Sequence, residues 1–210
     1  MKKIIPLTAP ILFLAFGFFL IGQALPKSLM DQWEDVESEI KKGLPKTAIE
    51  KIDPLIKQAL KDGSHAVAIR AICQKINLEG AIQGNKAEEK IVRLEEEITK
   101  APEALKPMMR AVLSNWYWQY FQQNRWRFAQ RTRTAEAPGE DINTWDLPRI
   151  LSEIDKQFQK TLSYHEVLKK EAVGDYDFLL KQGTVPDSYR PTLYDFVVDR
   201  KSGSAGMPRP

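Results

Sequence analysis

The sequence predicts an all-α protein of antiparallel helical hairpins, in an irregular arrangement like that of tetratricopeptide (TPR) α-solenoids and with no sheet. Three observations support this fold class. From Ser28 onward, apolar residues recur every three or four positions, which is the period of an amphipathic helix. Short turns rich in glycine and proline separate the periodic segments. No set of segments alternates apolar and polar residues as the strands of a sheet do.

The N-terminal segment, residues 1–24, has the composition of a secretory signal peptide. Two lysines precede an almost unbroken apolar run over residues 4–21, and small residues follow up to Ala24. This order of features predicts export and cleavage after Ala24. The alternative is an uncleaved anchor, because the apolar run approaches the roughly 20 residues that span a bilayer. We therefore expect a periplasmic or other extracytoplasmic protein, which is membrane-anchored if residues 4–21 are retained.

The first three helices are predicted by apolar stripes and by the turns between them. Gly43-Leu44-Pro45 ends the first helix and Asp62-Gly63 ends the second. Ser64 is expected to cap the third helix. The expected buried residues are Trp33, Val36 and Ile40, then Ile49, Ile52, Ile56 and Leu60, and then Ile69, Ile72, Cys73 and Ile76. Turns this short make consecutive helices antiparallel neighbours.

The second half of the chain follows the same plan, at a spacing nearer to about 40 residues than to the roughly 34 of tetratricopeptide repeats. Residues 135–141 form the clearest loop, and Asp146 is expected to cap the helix after it. The expected stripes are Ala87, Ile91, Leu94 and Ile98, then Leu105, Met109, Val112, Leu113, Trp116, Tyr117, Tyr120 and Phe121, and then Ile150, Leu151, Ile154, Phe158 and Leu162. Residues 28–196 are thus assigned to one helical-hairpin domain.

Composition narrows the classes of function. The chain has 31 basic and 28 acidic residues, but two of the basic residues lie in the first 24, so the remainder has a net charge of +1. A nearly neutral exported protein is not expected to bind nucleic acid. The single cysteine, Cys73, excludes an internal disulfide. Stability is therefore expected to come from packing.

Residues 115–133 interleave aromatic side chains with arginines. This pattern can bind nucleic acid, but helical spacing of the aromatics favours core packing with ion pairs, and tryptophan and arginine are also common anchors of protein interfaces. We expect any partner to be a protein. The residues of the candidate partner-binding surface are Trp118, Arg125, Trp126, Arg127, Arg131 and Arg133.

No residue pattern indicates catalysis, a cofactor or a metal site. Cys73 lies among isoleucines on an apolar helix face, where a thiol is expected to pack as a small inert hydrophobe. His65 and His165 are far apart and have no neighbouring ligand motif. The acidic run 95–97 is predicted to belong to a solvated face, and no carboxylate is expected to be buried with a raised pKa. The sequence therefore predicts a protein that is not an enzyme.

Four sequence runs carry a family resemblance. They are Gly43-Leu44-Pro45-Lys46-Thr47-Ala48, then Asn124-Arg125 with Gln130-Arg131-Thr132, then Thr144-Trp145-Asp146-Leu147, and finally Arg190-Pro191-Thr192-Leu193-Tyr194-Asp195-Phe196. In this order, over roughly residues 33–196, the chain resembles the N-terminal helical region of large bacterial alpha-2-macroglobulin-family proteins.

The resemblance implies an extracytoplasmic module of a protease-trapping or envelope-defence protein. In full-length relatives, β-sandwich macroglobulin domains follow this region, and some members entrap proteases through a thioester. No Gly-Cys-Gly-Glu-Gln motif is present, so neither the thioester nor endopeptidase inhibition is expected of this chain. The expected partner is the missing macroglobulin domains or an envelope protein. The alternative is a free-standing TPR-like scaffold that binds an envelope protein or peptide.

The C-terminal residues 197–210 depart from the family pattern. They are rich in glycine, serine and proline near the end, where relatives continue into an apolar helix. We expect this tail to be disordered, and we expect the chain to be a fragment left by truncation or a frameshift of a longer gene.

Overall fold

The computed structural model describes residues 28–130, 139, 141–180 and 186–204, with side chains described as far as residue 201. The prediction of an all-α fold is confirmed, because these residues contain helices and no strand. The α-helices are α1 (Leu29–Lys41), α2 (Pro45–Lys61), α3 (His65–Ile82), α4 (Ala87–Lys100), α5 (Lys106–Gln123), α6 (Arg125–Gln130), α7 (Leu147–Leu162), α8 (His165–Leu168) and α9 (Leu193–Ser204). Three short 3-10 helices lie at Ile142–Thr144, Val173–Tyr176 and Asp187–Tyr189.

Helix α1 begins with a reciprocal cap. The Asp31 amide donates to the Ser28 hydroxyl at 3.1 Å, and the Ser28 amide donates to the Asp31 carboxylate at 3.2 Å. This arrangement satisfies two backbone donors that a helix N-terminus leaves without partners. Gly43 then turns the chain with φ +73°, a conformation that costs little without a Cβ. Pro45 opens α2, where the missing amide is tolerated.

Helices α2 and α3 form a tight hairpin. Three residues join them, and Gly63 adopts φ +69° in this turn. Ser64 occupies the predicted N-cap position, but its side chain makes no capping hydrogen bond. The predicted stripes are confirmed where Ile52 faces the core from α2 and Ile69 from α3. Helix α3 is buried on most of its sides, because it packs on α2, on α4 and on the 3-10 helix at Val173–Tyr176.

The second half is centred on the packing of α5 against α7. Met109, Leu113 and Tyr117 of α5 are buried together with Ile150 and Phe158 of α7. The predicted cap of α7 is confirmed, since the Arg149 amide donates to the Asp146 carboxylate at 2.9 Å. Each long helix packs on its neighbours along the chain, with α7 reaching past the short α6 to α5. The TPR-like repeat arrangement stays a prediction.

The C-terminal segment returns to the first helices. The Arg70 guanidinium lies between the rings of Trp33 and Phe178, at 4.5 Å and 4.2 Å from their centroids. Its terminal nitrogen also donates to the Phe178 carbonyl at 2.8 Å, across 108 residues of chain. Such cation–π contacts with a hydrogen bond fix the segment onto α1 and α3.

The structure corrects the predicted start of a disordered tail at residue 197. Helix α9 continues to Ser204, and Val197 is only 1% exposed. Leu193 and Val197 are one helical turn apart and both buried, and one turn further on Lys201 pairs with Asp155 of α7 at 3.1 Å. This buried stripe crosses the expected end of the domain at residue 196. The glycine, serine and proline residues nearer the C-terminus led to the prediction of disorder. Residues 205–210, and with them the rest of the predicted tail, lie outside the described residues.

The predicted signal peptide, residues 1–24, also lies outside the described part of the chain. Among the helices that are described, none is both long and apolar enough to cross a membrane.

Candidate functional site

A groove with a volume of about 960 Å³ opens between the α2–α3 hairpin and α4. One wall comes from α2 and the opposite wall from α4, and α3 supplies the floor between them. The 3-10 helix at Ile142–Thr144 and the Ala101–Pro102 turn also contribute to the lining. The groove therefore follows three helices that are adjacent in sequence.

The groove contains apolar side chains between charged ones. Ile72 and Ile76 of α3 lie at its base, where both are buried, while Leu60 of α2 and Val92 of α4 stand at the sides. Leu60 is 37% exposed and Val92 is 47% exposed, both large fractions for aliphatic side chains. The prediction that Leu60 shares the buried stripe of Ile52 is therefore wrong, because Leu60 lies on the groove side of α2. Val92 is exposed because Ile91, Leu94 and Ile98 of the same helix face the core.

Ion pairs cover the walls of the groove and reach its base, since Lys75 and Glu79 belong to α3. Lys75 contacts Asp53 at 2.6 Å, and Arg93 contacts Glu79 at 3.1 Å. Two further pairs join residues three positions apart at the two ends of α4. Lys86, which precedes the helix, contacts Glu89 at 2.9 Å, and Lys100 contacts Glu97 at 3.1 Å. The hydrogen bond to Asp53 raises the pKa of Lys75, since it favours the charged ammonium.

The groove has more acidic than basic residues. Seven of the side chains that line it are acidic and five are basic. Four of the basic residues are held by the ion pairs above. Among the described residues, Glu88, Glu96 and Asp141 form no ion pair, and neither does the fifth basic residue, Lys57. The residues of the groove that form no ion pair thus have a net negative charge. Their carboxylates lie on α4 and, through Asp141, at one end of the groove.

Asn143 closes that end of the groove. Its amide nitrogen donates to Glu88 at 3.3 Å, and its amide oxygen accepts from the Tyr120 hydroxyl at 3.2 Å. Arg127 also donates to the same oxygen, at 3.5 Å. One asparagine therefore joins α4, α5 and α6 at the rim.

The predicted partner-binding surface is not a uniform exposed patch. Arg127 is used internally, because it donates to the Tyr120 hydroxyl and lies 5.4 Å from the ring centroids of Tyr120 and Phe128. Trp118 is half-buried and packs on Phe121 at 5.5 Å between ring centroids. Arg125 is exposed, and Trp126 is 66% exposed. The two other members of the predicted surface, Arg131 and Arg133, lie outside the described residues.

A second polar cluster lies between α4, α5 and α7. The Tyr117 hydroxyl donates to Glu95 at 3.0 Å, and the Gln157 amide donates to Glu153 at 2.7 Å. Glu153 is only 4% exposed, and Lys156 pairs with it at 3.1 Å. The Gln157 amide oxygen is buried without a hydrogen-bond partner among the described residues.

This cluster corrects the prediction that no carboxylate is buried with a raised pKa. Burial raises the pKa of Glu95 above its usual value, and the charge of Glu153 acts in the same direction. Burial likewise raises the pKa of Tyr117, and burial beside Lys156 and Arg110 lowers the pKa of Lys160. The run 95–97 was predicted as one solvated face, but residue 95 faces α5.

The prediction that Cys73 packs in the core is confirmed. Cys73 is buried with Ile72 and Ile76, and burial raises the pKa of its thiol to about 12. A thiol with this pKa is not a nucleophile near neutral pH.

The side chains that line the groove are apolar, charged or amide groups. The residues that line it include no serine, threonine, cysteine or histidine, which are the usual side chains of nucleophilic catalysis. No group of histidine, cysteine and carboxylate side chains in the described residues is arranged to hold a metal ion. The groove therefore offers exposed aliphatic side chains beside charged ones.

No protein-family model, no curated protein and no solved structure matches this chain.

The expected resemblance to the alpha-2-macroglobulin family rests on four runs, whose described residues lie at or near helix ends. Residues 43–48 form the α1–α2 turn, and residues 144–147 lead into α7. Asn124 follows α5 and donates to the Tyr120 carbonyl at 2.8 Å. Thr192 and Asp195 exchange hydrogen bonds at the start of α9. These runs shape helix ends, and none of their described residues lines the groove.

Proposed function

We propose that this protein is a non-enzymatic helical scaffold that binds a segment of another protein in the groove between α2 and α4. The observation that carries the proposal is a pair of exposed aliphatic side chains, Leu60 and Val92, which line the same groove from two helices. A groove of this composition suits a peptide or helix that places its apolar side chains on the floor.

The exposed aliphatic side chains support this function more strongly than the aromatic segment does. Leu60 and Val92 belong to two different helices and line one concave surface, so a single ligand can cover both. Burial of apolar surface contributes roughly 25 cal/mol per Å². Trp126 is more exposed, but its neighbour Arg127 is bound to Tyr120 and Asn143 and is not free to contact a partner.

The expected family resemblance supports a proposal about where the protein acts. We propose that the scaffold is exported and acts in the envelope, as the N-terminal module of an alpha-2-macroglobulin-like protein or as a free-standing TPR-like scaffold. In the first case the ligand is a segment of the following macroglobulin domains, and in the second it belongs to another envelope protein. N-terminal sequencing of the mature protein tests export, with Leu25 as the expected first residue.

Site-specific photocrosslinking tests the binding site. A photoreactive phenylalanine analogue replaces Val92 in the groove or, as the matched control, Val167 on α8. The two valines have nearly equal exposure, 47% and 45%, but only Val92 lines the groove. In native cells, we expect a discrete covalent adduct from position 92 that is absent from position 167.

The substitution pair Leu60→Asn and Val92→Asn provides the second half of this test. Both changes remove apolar contact at the sides of the groove without changing charge. A second photoreactive side chain replaces Lys57, which lines the groove from α2 and is not altered by the asparagine pair. We expect the adduct from position 57 to decrease in this variant. Equal adducts from positions 92 and 167, or an adduct that is insensitive to the asparagine pair, would contradict the proposed function.

A further inference from the structure

From the distribution of charge in the groove, we infer that its ligand is a cationic amphipathic protein segment, with lysine or arginine facing α4 and aliphatic side chains facing the floor. This inference rests on the proposed function and names the class of partner. It follows from three features of the groove: the paired cations, the unpaired carboxylates and their position relative to Val92.

The cations of the groove are already neutralised. Lys75, Lys86, Arg93 and Lys100 each contact a carboxylate between 2.6 and 3.1 Å. An acidic ligand would share these cations with the carboxylates that already contact them, which weakens its attraction to the groove. Lys57 forms no ion pair among the described residues, but it lies on α2, across the groove from the carboxylates that remain.

The remaining carboxylates are placed to receive cations. Glu88, Val92 and Glu96 are spaced four residues apart, so they form one row along α4 with an apolar residue between two acids. Asp141 extends the negative rim at the end that Asn143 closes. Glu88 accepts one hydrogen bond from Asn143, which holds its carboxylate at the rim and leaves it acceptor capacity for a ligand.

One helical segment can contact both the aliphatic and the acidic side chains of the groove. A helix with aliphatic residues at i, i+3 and i+4 covers Leu60 and Val92, the exposed aliphatic side chains of the groove, with one face. Cations on the flank of that face then lie beside Glu88 and Glu96. Electrostatic complementarity of this kind favours selection of the partner and fast association, and it weakens as salt shortens the screening length to about 8 Å at 0.15 M.

An unbiased peptide library identifies the ligand class. The full chain is used to select from a displayed library of random 16-residue peptides at low ionic strength, and the net charge of the enriched peptides is the readout. We expect enriched peptides with net positive charge and with aliphatic residues at helical spacing. The Leu60→Asn and Val92→Asn pair is expected to lose binding of these peptides.

Charge reversal then tests whether Glu88 and Glu96 contribute to the binding of cationic peptides. Glu88→Lys with Glu96→Lys is compared with Glu34→Lys and Glu50→Lys, two exposed glutamates outside the groove lining that give the same change in net charge. For an enriched peptide, we expect the groove variant to lose about tenfold or more in affinity at low salt, with a smaller loss at high salt, and the control variant to lose less than about twofold. Circular dichroism melting checks that both variants are folded.

The outcomes separate the two proposals. If enriched peptides need Leu60 and Val92 but are neutral or acidic, the groove binds peptides and the inference about charge is wrong. Equal losses in the groove and control variants would also overturn it. If no peptide is enriched, or binding ignores the asparagine pair, the proposed function itself fails. Sedimentation of the full chain provides a further check, since self-association that depends on Glu88 and Glu96 would identify a second copy as the occupant and overturn the inference.

Discussion

Carboxylates occur in two different settings on helix α4. On the groove side, Glu89 and Glu97 pair with lysines and Glu96 is exposed to solvent. On the opposite side, Glu95 is partly buried against α5 and accepts a hydrogen bond from Tyr117. The first setting leaves charge available to a ligand, whereas the second removes charge from solvent at some cost in stability.

The comparison shows how much one helical step changes the role of a residue. Glu95, Glu96 and Glu97 are consecutive, yet they face α5, the open groove and a lysine one turn away. Successive side chains point about 100° apart around a helix axis. The difference between the two sides of α4 therefore comes from what packs beside the helix.

The largest expected effect is a difference in the free energy of unfolding between substitutions on the buried side and on the open side of α4. Leu94→Ala removes a fully buried side chain, so we expect a loss of about 3 kcal/mol in the free energy of unfolding. Val92→Ala truncates an exposed side chain of the same helix, and we expect a change below about 0.5 kcal/mol. Urea unfolding measures both variants, and similar losses would show that the groove side is packed as tightly as the core.

The next largest effect is expected from loss of the hydrogen bond between Tyr117 and Glu95. Tyr117→Phe keeps the ring but leaves Glu95 without the hydroxyl donor, so we expect a loss of about 1.5 kcal/mol. The matched control is Tyr164→Phe, which alters a less buried tyrosine. Equal unfolding midpoints for the Tyr117→Phe variant and the wild type would mean that the hydrogen bond has no net effect on stability.

A smaller effect concerns the pH dependence of stability. The folded-state pKa of Glu95 is raised above its usual value of 4.5, so the folded protein holds this proton more tightly than the unfolded chain does. The stability from this group is present below about pH 4.5 and is lost as the pH rises through the raised value. Glu153 faces the same carboxyl group and adds to the rise in its pKa, whereas Lys156 and Lys160 oppose that rise.

Glu95→Gln tests this direction. The amide stays neutral and can still accept from Tyr117, so we expect the variant to be more stable than wild type near pH 7.5. The gain is expected to be about 0.5 kcal/mol, because Glu95 is only partly buried and solvent screens its charge. The difference should decrease as the pH falls towards 4.5. Unfolding curves at several pH values measure it, and a constant difference would contradict the raised pKa.

The smallest effect is expected in the groove. Asp53→Asn removes the partner of Lys75 from an ion pair that remains in contact with solvent. Exposed pairs contribute about 0.2–1 kcal/mol, so we expect a loss at the lower end of that range, which disappears in high salt. Thermal melting at low and high ionic strength measures it. A loss comparable to that of Tyr117→Phe would remove the contrast between the two settings.

Periodicity in the sequence was sufficient to predict the long helices α1 to α5 and α7 and about half of the core. The stripes through Ile52, Ile69, Leu94 and Ile150 are buried, because apolar spacing of three to four residues depends only on the local chain. The cap at Asp146 could also be predicted, since it joins residues three positions apart.

The groove and the buried carboxylates could not be predicted from local patterns. Exposure of Val92 and burial of Glu95 depend on where α3, α5 and α7 pass α4, and these are contacts between segments distant in the chain. Arg127 was predicted as part of a binding surface, but its partner Asn143 lies 16 residues further on. Its spacing from Tyr120 was the one local signal of this internal role.

The contact of Arg70 with Phe178 has a consequence for the order of folding. The α1–α2 and α2–α3 hairpins involve close neighbours in sequence, whereas this contact spans 108 residues. At the usual rate of about 5–20 residues per second, roughly 5–20 s of synthesis separate the two residues. During that interval Trp33 lacks its edge contact with the Phe178 ring, and Arg70 lacks the Phe178 carbonyl as an acceptor. We therefore expect the first hairpins to form before the last third of the sequence packs against them.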